Sequence, residues 1–216
     1  MSTQPFTDTP KLLADPAACA ARSGQLHEPH IAPLTAFVET LRAQVGPHVS
    51  IPNFDPWDGG IDAEILYLLE APGPKAVLTG FVSRNNPDET AKNFFEVNAE
   101  AKIPRKRTVT WNIVPWYIGD SKRIRSANRD DLQTGICELP RLLSLLPRLC
   151  AVVLVGRKAE QARSAVRHVL PRVAIFECPH PSPQFVNTDP ENRQRILNVL
   201  YDVANFAISC ANVQAM

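Results

Sequence analysis

Four short apolar runs stand out along the chain, and longer amphipathic segments separate them. The runs cover residues 65–69, 108–114, 151–155 and 173–177. Their near-continuous apolar character and β-branched residues are typical of strands covered on both faces. Alternation of such strands with helical segments predicts a parallel sheet with right-handed crossovers. The pattern therefore predicts an α/β fold around a four-stranded, mainly parallel sheet.

The amphipathic segments carry apolar residues at intervals of three and four, which is helical spacing. They predict helices over residues 31–45, 89–101, 129–149, 157–170 and 191–208. Pro140 and Pro147 are expected to break the third of these. Residues 1–30, rich in alanine, proline and polar residues, predict a loosely structured N-terminal arm with a short helix. No repeat or linker divides residues 31–216, which we predict to form a single domain.

Polar loops that each contain proline lie at or directly after the ends of three of the predicted strands. They are residues 70–73 (Glu-Ala-Pro-Gly), 111–116 (Trp-Asn-Ile-Val-Pro-Trp) and 180–183 (His-Pro-Ser-Pro). In open α/β sheets, ligands bind in the crevice outside the carboxyl ends of the strands. These loops offer a carboxylate, an amide and an imidazole. Together such groups could hold and polarise a flat, hydrogen-bonding ring such as a nucleobase.

Composition and termini favour a globular protein in the cytoplasm. A chain of 216 residues with 44% hydrophobic residues can bury one sizeable core. No run approaches the roughly 18 apolar residues that a membrane helix needs. The N-terminus has no basic segment followed by an apolar one, so we do not expect a secretory signal there. We expect a cytoplasmic monomer with no membrane partner.

The charge is uneven although the formal net charge is only +1. Basic residues concentrate between positions 100 and 129; they are Lys102, Arg105, Lys106, Arg107, Lys122, Arg123, Arg125 and Arg129. A local basic surface can bind phosphates even when the net charge is near zero. Lys122, Arg123 and Arg125 are the candidates for phosphate contact, and a solvated face is the alternative.

The sequence lacks the usual motifs of several kinds of functional site. The five cysteines are widely spaced without a C-x-x-C pair, which favours free thiols over disulfides or a metal site. The chain has no Gly-x-Gly-x-x-Gly, no P-loop and no Gly-x-Ser-x-Gly. Because a fold does not dictate a function, an unrelated nucleotide or sugar-phosphate hydrolase on a doubly wound sheet stays open at this point.

The chain resembles the uracil-DNA glycosylase superfamily. The resemblance rests on the motifs at residues 70–73 and 180–183, which occur in this order with the Asn112 strand end between them. The likeness runs from about residue 53 to residue 195. Residues 70–73 resemble the Gly-Glu-Ala-Pro-Gly motif of bacterial and archaeal branches, with Leu69 in place of the leading glycine. Residues 180–183 resemble the second motif of the superfamily.

The resemblance implies a three-layer α/β/α sandwich and a base-excision repair enzyme. Such an enzyme hydrolyses the N-glycosidic bond of uracil, or of a related deaminated base, in DNA. Its partner is DNA that contains such a base, and it needs no cofactor. Branches with this first motif commonly carry an iron–sulfur cluster on four cysteines. This chain lacks that cysteine pattern, so we predict no cluster, no metal and no other cofactor.

The resemblance assigns two polar residues to the departing base. A neutral His180 imidazole would donate to uracil O2 as the ring becomes an anion, which is where hydrogen-bond donors help most. The Asn112 amide can meet uracil N3–H and O4 at once, whereas cytosine presents the reversed pattern. The structural alternatives are that His180 is a surface histidine in a proline-rich turn and that Asn112 caps a turn.

Glu70 is predicted to be the catalytic carboxylate, which stabilises positive charge on the sugar or orients water, and Asp88 is a remote second candidate. In relatives with other first motifs, the third place handles the water, and here it is Ala71, which cannot. Glu70 could instead frame the pocket and leave catalysis to His180 and a water held by the backbone, or it could serve as a partner of the amides in the following turn. A catalytically weak or inactive glycosylase-fold protein that binds DNA or bases is therefore the alternative function.

The resemblance also predicts a slot for the flipped base. Phe81 would stack on one face of the base, and Ala71, Pro72 and Gly73 would frame the other. Phe94 and Phe95 are competitors, but they lie in a helical pattern and are expected in the core.

Two loops are predicted to contact DNA. One is residues 83–86, with Arg84. In the other, Ser182 would contact a phosphate, and Gln184 or Phe185 would wedge into the space that the flipped base leaves.

Overall fold

The main sheet of the protein has four parallel strands. The computed structural model of the chain describes residues 6–119 and 125–214. Its strands are β1 (Asn53–Phe54), β2 (Ile65–Leu69), β3 (Phe81–Val82), β4 (Thr108–Asn112), β5 (Ala151–Val155) and β6 (Ala174–Cys178). The main sheet has the order β4-β2-β5-β6 with parallel pairing throughout, and β1 and β3 form a small parallel pair of their own. The predicted four-stranded sheet is confirmed.

Helices connect the strands and cover the sheet. They are α1 (Pro16–Ser23), α2 (Ala32–Val45), α3 (Pro74–Thr79), α4 (Glu89–Glu100), α5 (Arg129–Ser144), α6 (Arg157–Glu160), α7 (Arg163–Val169), α8 (Pro183–Val186) and α9 (Pro190–Gln214). Helix α5 continues through Pro140 instead of breaking there. The single helix expected over residues 157–170 is two short helices, α6 and α7. No helix within the described ranges is long and apolar enough to cross a membrane.

The sheet is buried on both faces, as its continuous apolar runs predicted. Successive side chains of a strand point to opposite faces. Leu66 and Leu68 of β2 pack into a core that α2, α5 and α7 cover. Ile65 and Tyr67 pack into a second core that α4 and α9 cover. The protein is therefore a three-layer α/β/α sandwich, as the resemblance implied.

The N-terminal segment is packed against the body of the protein, at least from residue 6 onward. Leu13 and Ala18 share a small core with Phe81. The Arg22 guanidinium is 1% exposed, forms an ion pair with Asp55 and donates to Asn85. The prediction of a loosely structured arm over residues 1–30 is thus wrong for its described part. The stabilising partners are distant in sequence, so composition alone gave no sign of them.

Candidate functional site

A cavity of about 480 Å³ opens at the carboxyl end of the main sheet. Its volume lies in the range of about 300–1,000 Å³ that is usual for small-molecule sites. The loops after β2, β4 and β6 contribute to its wall, so the three motif-bearing loops meet as predicted. The residues that line it are Leu69, Ala71, Pro72, Gly73, Pro74, Lys75, Ala76, Val82, Ser83, Arg84, Asn86, Asp88, Thr90, Ala91, Phe94, Thr110, Asn112 and His180.

His180 stands in the cavity wall as a neutral imidazole at pH 7. Burial lowers the pKa of His180 below its ordinary value, and the negative charges of Glu70 and Asp88 only partly oppose that shift. Gly156, at the end of β5, has a φ of +88° and gives the ring its room. A Cβ at this glycine would lie 3.2 Å from the His180 Cβ. Both the positive φ and the close approach therefore favour glycine there.

Asn112 ends β4 with its side-chain amide beside the cavity. It is 3% exposed, and its Nδ2 has no hydrogen-bond partner among the described residues. Helix α5 packs tightly behind this strand end, because a Cβ at Gly135 would lie 2.1 Å from the Ile113 carbonyl oxygen. A buried amide donor without a partner costs free energy unless a ligand supplies an acceptor.

The structure changes the assignment of the carboxylates. Glu70 Oε1 accepts hydrogen bonds from Ser126 Oγ at 2.8 Å and from the Ala127 backbone N–H at 2.6 Å. Glu70 is absent from the cavity lining, whereas Asp88 is part of it. Asp88 Oδ1 also caps α4 by accepting from the Ala91 N–H at 2.9 Å. Of the two candidates, Asp88, which the sequence placed second, is thus the one that lines the cavity.

The aromatic wall of the cavity comes from α4 and not from β3. Phe81 is 1% exposed, packs against Leu13 and Ala18, and does not line the cavity. Since successive side chains of β3 point to opposite sides, Val82 faces the cavity instead. Phe94 also lines it. The predicted stacking role of Phe81 is therefore corrected, while Ala71, Pro72 and Gly73 do line the cavity as predicted.

Arg84 is part of the cavity wall and does not reach the protein surface. It is 4% exposed and donates from Nη2 to Thr108 Oγ1. Burial lowers the pKa of its guanidinium, and the nearby Asp58 opposes that shift. Arg84, which was predicted to contact DNA together with its loop, is therefore a buried residue of the cavity wall. From the sequence, Arg84 in its polar loop would be expected to be solvated, because its partner Thr108 is distant along the chain.

The loop after His180 is anchored to two helices. Asn93 of α4 donates from Nδ2 to the Pro181 carbonyl at 3.0 Å. Ser182 caps α8 by accepting from the Phe185 N–H at 3.4 Å. Phe185 is half-buried against α9, whereas Gln184 is exposed. Of the two predicted wedge residues, Gln184 is thus the one that is free to enter DNA.

The basic stretch is divided between internal ion pairs and the surface. Arg105 pairs with Asp8, Asp55 and Asp58, and Arg107 pairs with Glu64. Arg125 is exposed and pairs with Asp131. Lys122 and Arg123, which were predicted to contact phosphates, lie outside the described residues.

The residues that the structure describes offer no metal site. No group of three or more His, Cys, Asp or Glu side chains within residues 6–119 and 125–214 could hold a metal ion. The cysteines there are free thiols, and they offer no four-ligand set for an iron–sulfur cluster.

Comparison with known proteins identifies the family. The family model of the uracil DNA glycosylase superfamily matches residues 56–204. The chain therefore belongs to this superfamily, whose members generally hydrolyse N-glycosidic bonds in DNA, and this membership supports a DNA glycosylase-type function.

A solved structure supports the fold. The crystal structure of wild-type SMUG2 from Pedobacter heparinus is similar to this chain with a TM-score of 0.51. The two are 13% identical, and the match covers 85% of this chain and 84% of that one. At this identity the likeness concerns the fold alone. No curated protein sequence matches the chain.

Proposed function

We propose that the chain is a DNA glycosylase that excises uracil or a related deaminated base. One observation carries the proposal: Asn112 and His180 line a single cavity at the carboxyl end of the sheet although 68 positions, 180 − 112, separate them. One is an amide with an unpartnered donor, and the other is a neutral imidazole. These are the groups needed to read a carbonyl-bearing ring and to stabilise it as it leaves.

Recognition of the base begins when it leaves the stack and enters the cavity. Ala71, Pro72 and Gly73 on one side and Phe94 on another give the cavity largely apolar walls for a flat ring. Asn112 then supplies the polar contact. Its Nδ2 donates to a ring carbonyl, which satisfies the buried donor and rejects an exocyclic amino group at that position.

Departure of the base is assisted by His180. The bond between C1′ of the sugar and the ring nitrogen breaks, and the base leaves with the electron pair. A neutral imidazole donates a hydrogen bond to the carbonyl oxygen where the negative charge collects, which stabilises the transition state more than the ground state. The lowered pKa of His180 keeps this form dominant at neutral pH.

Asp88 provides the negative charge on the sugar side of the reaction. Its carboxylate lines the cavity and acts on His180 electrostatically. A negative group there stabilises the positively charged sugar and orients a water molecule. The oxygen of this water bonds to C1′ as the water loses a proton, and the departed base anion takes up a proton to become neutral. Glu70, held by Ser126 and Ala127, positions the segment behind the cavity instead.

DNA contacts would surround the mouth of the cavity. The exposed Gln184 enters the space that the base vacates, in the manner of side chains that wedge between base steps. Ser182, at the start of α8, lies beside it for a phosphate contact. Lys122, Arg123 and Arg125 are proposed for phosphate contact because of their positive charge; the first two lie outside the described residues, and Arg125 pairs with Asp131.

A second candidate is a base-binding or DNA-binding protein of the same fold without catalytic activity. Two observations favour it. Ala71 stands where some relatives place the residue that handles water, and the Glu70 carboxylate is engaged by Ser126 and Ala127. In this case the cavity would still bind a base.

Excision assays separate the two candidates. Single- and double-stranded oligonucleotides with one uracil are incubated with the protein, and abasic sites are then cleaved with alkali. We expect cleavage that is lost in His180→Ala and kept in His168→Ala, which changes an exposed histidine on α7. Absence of cleavage with retained DNA binding would favour the non-catalytic candidate.

A further inference from the structure

Two of the cysteines meet at the amino end of the main sheet, opposite the cavity. Cys150 directly precedes β5, and Cys210 lies near the carboxyl end of α9. Both are half-buried free thiols, and the Cys150 side chain lies within hydrogen-bonding reach of the Cys210 side chain. Their positions along the chain differ by 60, 210 − 150, so it is the fold that brings them together.

Backbone hydrogen bonds on both sides fix the position of Cys150. Its N–H donates to the Glu64 carbonyl at 2.9 Å, and its own carbonyl accepts from the Ala174 N–H at 2.9 Å. Glu64 precedes β2 and Ala174 begins β6, the two strands that flank β5 in the sheet. The side chain of Cys150 packs against the core that α4 and α9 cover. Cys150 is therefore held at the sheet edge on the side of α9.

Arg107 fixes the last part of α9 to the same edge of the sheet. It forms an ion pair with Glu64 and donates from Nη2 to the Ala207 carbonyl at 2.9 Å. Ala207 is 1% exposed and belongs to the core against which Cys150 packs. Cys210 follows Ala207 by three residues and so lies on the same side of the helix. Glu64 thus contacts the backbone of Cys150 and the arginine that holds the helix of Cys210.

We propose that Cys150 and Cys210 form an oxidation site, at which a peroxide joins the two thiols in an intramolecular disulfide. The inference goes beyond the proposed function and does not depend on it. Contact alone makes the pair suited to this chemistry, because a sulfenic acid condenses with a thiol that lies next to it. Disulfides of this kind are transient in a reducing compartment, so the thiol form is the resting one.

The surroundings of Cys150 set the order of the two steps. Burial raises the pKa of the Cys150 thiol to about 12, the neighbouring Cys210 adds to the shift, and Arg107 only partly opposes it. Cys150 is therefore a neutral thiol at pH 7, whereas the attack on a peroxide requires a thiolate. Cys210 takes the first step: its sulfur bonds to one peroxide oxygen and becomes a sulfenic acid, and the other oxygen leaves as hydroxide and is protonated to water.

Cys150 then closes the disulfide. Its sulfur bonds to the sulfur of Cys210, the sulfur–oxygen bond of the sulfenic acid breaks, and the hydroxyl leaves with the thiol proton as a second water. The two sulfurs are oxidised and the peroxide is reduced. The new bond ties α9 to the start of β5 and restricts the unfolded chain, which stabilises the folded protein. The cavity lies at the other end of the sheet and stays as it is.

Peptide mapping tests the site directly, because trypsin places each cysteine of the chain in a different peptide. Cys150 lies in residues 149–157 and Cys210 in residues 196–216. The folded full-length chain is treated with a small excess of hydrogen peroxide, the remaining thiols are blocked with N-ethylmaleimide, and the digest is analysed by mass spectrometry. The variants are Cys210→Ser and Cys150→Ser. Cys19→Ser, which changes another half-buried free thiol, is the matched control.

We expect the two peptides to be cross-linked in most of the oxidised protein and released by dithiothreitol. The cross-link should form at least about tenfold faster in the folded protein than in concentrated urea, because the fold holds the two thiols in contact. Oxidation should also move the midpoint of urea unfolding upward. Cys210→Ser and Cys150→Ser should abolish the cross-link and the shift of the midpoint, and Cys19→Ser should keep both. Cys210→Ser lies near the end of α9, so it tests the inference even if Cys150→Ser does not fold.

Three results would overturn the inference. In the first, N-ethylmaleimide labels Cys150 and Cys210 after peroxide treatment while the exposed Cys137 is oxidised. In the second, the cross-link forms as fast in urea as in the folded protein. In the third, it forms without any change in the midpoint of unfolding. Since neither measurement uses DNA, a failure here leaves the proposed glycosylase activity untouched, and absence of excision leaves the oxidation site untouched.

Discussion

Replacement of Thr110 by valine should stabilise the ligand-free protein, which is an uncommon result for a buried position. The Thr110 hydroxyl is buried without a partner among the described residues. An unsatisfied buried hydroxyl costs about 1–3 kcal/mol, and valine fills nearly the same volume without it. A gain of about 1 kcal/mol, the lower end of that range, would raise the Tm of a domain of this size by about 2–4 °C.

Thr35 in α2 provides a control of opposite sign. It is also buried, but its Oγ1 donates to the Leu26 carbonyl at 2.8 Å. Thr35→Val should therefore lower the free energy of unfolding by about 1 kcal/mol. Urea and thermal denaturation followed by circular dichroism measure both variants. If Thr110→Val destabilises the protein as Thr35→Val does, the Thr110 hydroxyl is already bonded in the free protein.

Three other substitutions or conditions test the site and its support. Asn112→Asp removes the amide donor, so the ratio of uracil to cytosine excision should fall by at least tenfold, and an unchanged ratio would remove Asn112 from base contact. Because burial lowers the pKa of His180 below the ordinary value of about 6.5, its imidazole is neutral at pH 7 and gains a proton only in more acid solution. Excision should therefore fall only at a pH below the range in which a free imidazole titrates, and a rate that rises there would exclude a neutral donor. Arg22→Ala removes one partner of the fully buried Asp55 and should destabilise the protein by about 3 kcal/mol in urea unfolding, whereas a loss under 1 kcal/mol would mean that Arg105 alone compensates the charge.

The division of roles between Glu70 and Asp88 has a physical origin. Glu70 directly follows β2, where its oxygens meet the backbone and hydroxyl donors of the segment before α5. Asp88 caps α4 with its side chain and lines the cavity. A carboxylate at a helix start and a carboxylate after a strand look equally free in the sequence. Only their neighbours in space separate them.

The sequence by itself determined the sheet, the layers and the centre of the site. A strand covered on both faces must be apolar throughout, so the runs at residues 65–69 and 151–155 matched β2 and β5 residue for residue. Parallel strands bring their carboxyl ends to one edge. Asn112, His180 and the loop at residues 71–73 could therefore be assigned to one site from their position after strands.

Only the tertiary structure decided which neighbouring side chains complete that site. Whether Phe81 or Val82 faces the cavity depends on how the two-residue strand β3 is oriented. A strand of two residues is too short to show an alternating pattern in the sequence. Whether an arginine is solvated or buried depends on partners far along the chain, as Arg84 with Thr108 and Arg22 with Asp55 show. Burial of a charge is favourable only where such partners converge, and that convergence is a property of the fold and not of any local stretch of sequence.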